Sequence, residues 1–295
     1  MRKSFIDRFV DLLNALGVKF LIYKNIIWRD YGKFVTPLGP AKWDFSLSRE
    51  EARYLLSKFS NALFIRWTDG FCEDTHNKEW YYVISDKFID LEDLSSKNKS
   101  EIKRGLRNCV VDRIDSKFIA ERGYEVFISA FKRYKGVKTP NLEKKDFIRR
   151  FLLLKEFEDI VHHWGVFYNR DLIGYSENLI FGDIEVSYST IKLHPSYLNL
   201  YSSYALIYVM NKYYLVENKV EYVNDGARNI LHRTNIQKYL IDKFKFKKAY
   251  TNLYVYYKPF LYLLLKFSYP LRGFISKLHP SLDAMYKLEE FRVKK

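Results

Sequence analysis

The stretch from His162 to Pro259 constrains the fold more than any other part of this chain. It opens with three strand-like runs, HHWGVFYN, LIGYSENLIF and IEVSYSTIKL. Asn169-Arg170-Asp171 and Gly182-Asp183 separate them, and such residues close antiparallel hairpins. A loop (HPSYLNLYSS), a helix (SYALIYVMNKYYLVEN) and a strand (VEYVNDG) follow, then a second helix (HRTNIQKYLIDKF) and a closing strand (AYTNLYVYYKP). A helix placed between two strands in this way joins a parallel pair. Its N-terminus falls at Ser202-Ser203, either of which suits an N-cap. Free N–H groups and the positive dipole end can hold a phosphate there. The pattern predicts a phosphate-bearing ligand near Tyr201, Ser202, Ser203 and Tyr204, with simple helix capping as the competing explanation.

Upstream lie a strand-like run from Cys109 (CVVDRID), one helix (FIAERGYEVFISAFKRY) and another (EKKDFIRRFLLLKEFED). The order is strand, two helices, three antiparallel strands, helix, strand, helix, strand. It resembles the GNAT acyltransferase fold over Cys109 to Lys258. More narrowly it is similar to the FemAB-like branch, in which two GNAT-type halves occur in tandem. LSSKNKSEIKRGLRN, LIGYSENLIF, SSYALIYVMNKYYL, EYVNDGA and HRTNIQKYLIDKFKF carry that likeness. The resemblance implies an α+β fold, a GNAT-type mixed sheet flanked by helices, with two GNAT-like halves. Residues 1–108 would form a degenerate N-terminal half, 109–258 the acyltransferase domain, and 259–295 a basic, aromatic, helical tail.

GNAT enzymes carry a glycine-rich loop where this chain runs from Tyr197 to Ala205, and no glycine lies between Asp183 and Gly226. Glycine lets backbone approach a pyrophosphate closely. Two donors therefore stay open, acyl-CoA and the aminoacyl-tRNA that some FemAB-like proteins use. Either would be a co-substrate rather than a tightly bound cofactor. A fold relative that has lost catalysis and serves as a scaffold is the third possibility.

The formal net charge of +15 favours an anionic partner: a nucleotide, RNA or an acidic membrane surface. Aromatic residues make up 18% of the chain, and tyrosines in strands mostly cover half-buried sheet surface. Two cysteines without CxxC spacing argue against a disulfide scaffold and a zinc site. The start reads as an amphipathic helix from about Ser4 to Leu16 that Gly17 ends, not as a signal peptide. No run of about 18 uncharged apolar residues is present, so cytoplasmic is the default location.

VKFLIYKNIIW then reads as a strand and GKFVTPLGPAKWDF as a loop. Ser48 with Glu51 forms a capping box that opens the next helix. ALFIRWTD and EWYYVIS read as strands on either side of a polar turn. At the junction of the halves, Asn98 with Glu101 is a second capping-box pattern. Lys99, Lys103 and Arg107 recur every four residues on that helix, with Arg104 beside them. The stripe faces either a donor's phosphates or RNA backbone, or it is a solvated helix face. The resemblance favours the first, because a basic helix stands at this junction in similar proteins.

His162 and His163 are adjacent, so on a strand they point to opposite faces. His232 opens the helix after VNDGAR, where the positive helix end favours a neutral imidazole that can accept a proton. Its alternative is a capping or loop-tethering role. Asp225 ends a strand of the parallel pair and could act as a base or orient an amine, or serve as a turn carboxylate before Gly226. Arg228 could bind a carboxylate or phosphate of the substrate. The resemblance places a base near Glu177 and the donor along Tyr188, Ser189 and Thr190. Alternation would put Tyr188 and Thr190 on one face. The chemistry implied is direct acyl transfer to an amine of a small metabolite, amino sugar or cell-envelope precursor. No Ser-His-Asp pattern or Gly-x-Ser-x-Gly elbow suggests a covalent nucleophile.

From Phe260 the tail is apolar and aromatic, with Lys266, Arg272 and Lys277 spaced through it and Pro270 and Pro280 breaking it. It either lies on a membrane surface, basic residues toward anionic lipid, or packs as a helix pair on its own protein.

Overall fold

The computed structural model describes residues 5–72, 79–132, 143–230, 235–278 and 280–293. The chain divides into two compact units, each assembled from separate segments. The first comprises residues 1–16, 84–226 and 239–246; the second comprises 17–83, 227–238 and 247–295.

In the second unit, β1 (Phe20–Tyr23) and β2 (Ile26–Asp30) form a hairpin. Lys24 and Asn25 both adopt positive φ, 52° and 59°, at its turn. The single strand expected here is thus two, and asparagine is among the few non-glycine residues that tolerate this geometry. β3 (Phe34–Leu38) occupies part of the expected loop despite Pro37, pairing antiparallel with β2 and for two residues parallel with β4 (Phe64–Asp69). β11 (Lys247–Tyr257) lies antiparallel to β4, and β5 (Trp80–Ser85) follows β11 in the sheet. α2 (Arg49–Ser57) starts on the expected capping box, with Ser48 and Glu51 exchanging both bonds. It buries Ala52, Leu55 and Leu56 against Trp28, Val35 and Ile65. The tail forms α9 (Pro259–Ser268), α10 (Arg272–Leu278) and α11 (Pro280–Phe291). Leu261 and Leu265 of α9 join Leu253, Tyr257, Tyr286 and Leu288 in a core of this unit.

The first unit is built on the sheet β10-β9-β8-β7-β6. Its strands are β6 (Val110–Ile114), β7 (Val161–Tyr168), β8 (Asp171–Phe181), β9 (Glu185–Leu193) and β10 (Tyr222–Ala227). β6 to β9 pair antiparallel in succession, while β10 pairs parallel with β9. The hairpins turn where expected, on Asn169 and Arg170 (φ 49° and 71°) and on Gly182 (φ 65°). The helix expected after β6 is broken at Gly123 into α4 (Ser116–Arg122) and α5 (Tyr124–Lys132). With α6 (Lys144–Leu154) these helices pack Phe127 on Phe147 and Phe147 on Phe151, which meets Tyr175 of β8. Each fully buried aromatic of this kind contributes roughly 1.5–3 kcal/mol through burial alone.

α7 (Ser202–Lys212) is the crossover between β9 and β10 and ends in a π-helical turn, Tyr213–Glu217. α3 (Ser96–Asn108) packs on α7. A Cβ on Gly105 would stand 2.6 Å from the Tyr201 carbonyl oxygen and 3.1 Å from the Ala205 nitrogen, so only glycine lets the helices approach this closely. The N-cap of α3 is Ser95, not Asn98; the Asn98 amide instead donates to the Asp242 carbonyl. α1 (Phe5–Ala15) also belongs to this unit, with Phe9 stacked on Phe181 at 4.9 Å and Arg8 bonded to Asp159 at 2.7 Å. Of α8 (Ile236–Phe244), the part from Tyr239 belongs here.

Candidate functional site

The parallel pair holds together over only three residues, Glu185 to Ser187 of β9 against Tyr222 to Asn224 of β10. Beyond Ser187 and Asn224 the strands part. β9 stays on β8, while Asp225 and Gly226 carry β10 onward, Gly226 with a φ of 97° that favours glycine. Glu185 anchors the paired end: its buried carboxylate accepts from the Tyr222 hydroxyl (2.7 Å) and the Asn224 amide (3.0 Å).

A bulge sits where the strands separate. Asn178 of β8 opposes Tyr188, but Glu177 opposes Thr190, so Ser189 is the extra residue. Its hydroxyl donates to the Glu177 carbonyl at 2.7 Å. Residues directly opposite in an antiparallel pair share a face, and Asn178 and Glu177 lie on opposite faces. Tyr188 and Thr190 are therefore separated rather than placed together, because the inserted residue breaks the alternation.

On one face Tyr188 points toward α7 and donates to Asn211 Oδ1 at 2.8 Å. Burial pushes its hydroxyl well above the usual tyrosine range. Nearby, the Tyr214 hydroxyl accepts from Trp164 Nε1 (2.9 Å) and Asn178 Nδ2 (3.2 Å). His162 Nδ1 lies 2.8 Å from the Arg113 guanidinium and 3.3 Å from the Tyr214 hydroxyl. Burial, the Arg113 charge and His163 lower its pKa to about 3, so the ring stays neutral.

On the other face Glu177 receives both arms of Arg150, at 2.7 and 2.8 Å, with His163 Nε2 at 3.6 Å. Burial alone would raise its pKa, but Arg150 and His163 outweigh that and hold it at about 2. A carboxylate gripped in this way is a poor proton acceptor. Neither Arg150 nor the Arg113 cluster was legible as a partner, because only folding brings α6 and β6 to these strands.

Asp225 is the opposite case. It is half-buried at the parting of the strands, and no hydrogen bond or ion pair engages it among the described residues. Burial raises its pKa to about 7. Its charge is felt at the Tyr188 hydroxyl.

At the start of α7 neither serine is the cap. Tyr201 holds that position in the left-handed region, φ 61° and ψ 33°, without a side-chain cap. The Ser202 hydroxyl donates to the Tyr197 carbonyl at 3.4 Å, and Ser203 Oγ accepts from Tyr239 at 3.0 Å. Arg104 lies over the Tyr201 ring at 4.7 Å and donates to its hydroxyl at 3.2 Å. The Tyr204 ring leans on Tyr201 and Tyr239, at 5.5 and 5.2 Å. Beside this corner Ser96, Lys99, Ser100, Lys103, Arg104 and Arg107 line an open groove along α3. Lys99 pairs with Glu92 at 2.5 Å; Lys103 and Arg107 make no ion pair among the described residues. Glu101 is turned away and paired with Lys243 at 2.7 Å.

Arg228 lies in the second unit, where it donates to the Glu79 carboxylate at 2.8 Å and packs over Phe291 at 3.9 Å. His232 lies outside the described residues. Among the described residues no cluster of His, Cys, Asp and Glu could hold a metal ion.

Three antiparallel strands, a crossover helix and a parallel strand that parts from a bulged neighbour define a GNAT-type fold. No family model and no curated protein matches the chain. Solved structures do. FemX superposes with a TM-score of 0.57 at 10% identity, over 88% of this chain and 93% of its own. The C-terminal domain of an Agrobacterium fabrum protein described as a lysylphosphatidylglycerol synthetase gives 0.53 at 12% identity, over 90% and 92%. A protein of unknown function from Bacteroides thetaiotaomicron gives 0.52 at 10%, over 85% and 88%. At these identities the likeness is one of fold, shared with FemX over most of both chains.

Proposed function

We propose that this chain is an N-acyltransferase that moves an acyl or aminoacyl group from a phosphate-bearing donor to an amine, with Asp225 as the base. The observation that carries the reading is Asp225 itself: a half-buried carboxylate where the parallel strands part, without a partner among the described residues, with a pKa of about 7. A base works best when its pKa lies near the working pH. Asp225 takes a proton from the acceptor's amine, and the nitrogen attacks the donor's carbonyl carbon. The edge of β9 beyond Ser187 supplies backbone N–H groups for the oxyanion. Collapse of the tetrahedral species expels the thiolate of coenzyme A or the ribose hydroxyl of tRNA, which takes the proton back. Tyr188, fixed by Asn211, borders the reacting centre, and Thr190 lies along the donor strand. Tyr201 to Tyr204 with Lys103 and Arg107 would receive the donor's phosphates. The acceptor is the amine of a small metabolite, amino sugar or envelope precursor. A cytoplasmic location goes with this reading, since acyl-CoA and aminoacyl-tRNA are both cytoplasmic.

Acyl-CoA is the first donor to test. Aminoacyl-tRNA is the second, because the basic groove on α3 is open rather than enclosed and the pyrophosphate loop lacks glycine. The name lysylphosphatidylglycerol synthetase, carried by a structural neighbour, describes making an aminoacylated lipid and supports that alternative. Melting temperature with acetyl-CoA, a long-chain acyl-CoA and charged tRNA separates them, because a ligand that binds the folded state raises it. A shift with tRNA that fades steeply with salt favours the polyanion. No shift with any donor, and no transfer to a panel of amines, overturns the reading in favour of a scaffold.

A further inference from the structure

The second unit exposes an apolar face that its own core does not use. α9 is hydrophobic on two sides. Leu261 and Leu265 point into the core, and Ser268 accepts a hydrogen bond from Tyr286 at 2.7 Å, which fixes the helix in place. Phe260, Leu263, Leu264 and Phe267 recur at the i, i+3, i+4, i+7 spacing of a single helix face. That face looks to solvent, with Phe260 80% and Phe267 75% exposed. Leu271 and Phe274 extend the apolar surface, at 63% and 68% exposure. Isolated exposed apolar residues are ordinary, but a contiguous set of large ones marks an interaction surface.

The charges select the occupant. From Lys258 to Leu282 the sequence holds Lys258, Lys266, Arg272 and Lys277 and no Asp or Glu, with Arg272 paired to Glu290 of α11 at 3.3 Å. Lys266 is exposed on the flank of the apolar stripe. The face is one convex helix rather than a groove, so its phenyl rings project outward. A second copy would set like charges against each other. An anionic bilayer offers both things the surface needs, acyl chains for the rings and acidic headgroups for the cations. No helix among the described residues is long and apolar enough to cross a membrane.

We propose that α9 and the start of α10 form a peripheral membrane-docking surface that inserts Phe260, Phe267 and Phe274 among the headgroups of an anionic bilayer. The inference does not depend on the catalytic reading. The test is flotation of the full chain with vesicles of phosphatidylcholine alone and of phosphatidylcholine mixed with phosphatidylglycerol. The protein should float with the mixed vesicles, less with the neutral ones, and less again at high salt. The double variant Phe260→Ser/Phe267→Ser should bind the mixed vesicles about tenfold more weakly. It should melt at the wild-type temperature, since both side chains are exposed. Absence of binding to the mixed vesicles, or equal binding by the variant, overturns the proposal. So does a wild-type dimer in sedimentation velocity that the variant turns into a monomer, which would make the occupant a second copy.

Discussion

Glu177 and Asp225 are two carboxylates of the same unit, on strands either side of β9, and their surroundings differ in kind. Glu177 lies on the face covered by α6 and is held by Arg150 and His163 at a pKa of about 2. Asp225 stands where β10 leaves β9, has no partner among the described residues, and titrates near 7. Burial pushes both upward, and only the presence of a countercharge separates them. A carboxylate taken out of water is held in its charged form where a guanidinium reaches it, and its pKa rises where burial acts alone.

The sharpest way to break this contrast is Asp225→Asn. Transfer should fall by about 10²–10⁴-fold, the usual contribution of a general base. The fold should survive. Because the raised pKa means that native Asp225 binds its proton more tightly than the unfolded chain, wild-type stability falls as pH rises from about 4 to 7. The variant should therefore melt higher than wild type at pH 8 and at the same temperature near pH 3, by calorimetry. Activity that persists in the Asp225→Asn variant would return the base to another group.

The opposite pattern is expected for the ion pair. Arg150→Met leaves a buried, unpaired charge and should cost about 3–5 kcal/mol in urea unfolding. The double variant Arg150→Met/Glu177→Leu should recover most of that loss. If Arg150→Met lowers turnover without lowering stability, Glu177 belongs to the chemistry after all.

A smaller effect concerns the donor. Lys103→Gln with Arg107→Gln should weaken donor binding about tenfold and flatten its salt dependence, measured by titration calorimetry. Unchanged binding would leave the stripe as a solvated helix face. Smallest of all, the depressed pKa of His162 means that the unfolded chain takes up a proton that the native chain refuses between about pH 6.5 and 3. Stability should fall through that window as pH falls, and His162→Gln should make the fall shallower.

Much of this was open to reading in the residues. The Asn169-Arg170 and Gly182 turns, the crossover helix and the Ser48-Glu51 capping box are local, since their geometry depends on a few consecutive residues. Asp225 was expected to end its strand, whereas β10 runs on to Ala227. The cap of α7 was misread because its two serines are good caps in isolation. Instead Tyr201 takes a left-handed conformation that costs roughly 1 kcal/mol, held by Arg104 and by the close approach of Gly105.

By itself, then, the sequence determined the order of elements from β7 to β11, the parallel pair and the glycine-free loop between them, because periodicity and turn chemistry act over a few residues. Only the tertiary structure decided which carboxylate was neutralised, and that a single inserted residue at Ser189 sends Tyr188 and Thr190 to opposite faces. Both depend on long-range partners: the register of β8 against β9, and an arginine that α6 brings to β8. No local pattern encodes a partner that folding alone supplies.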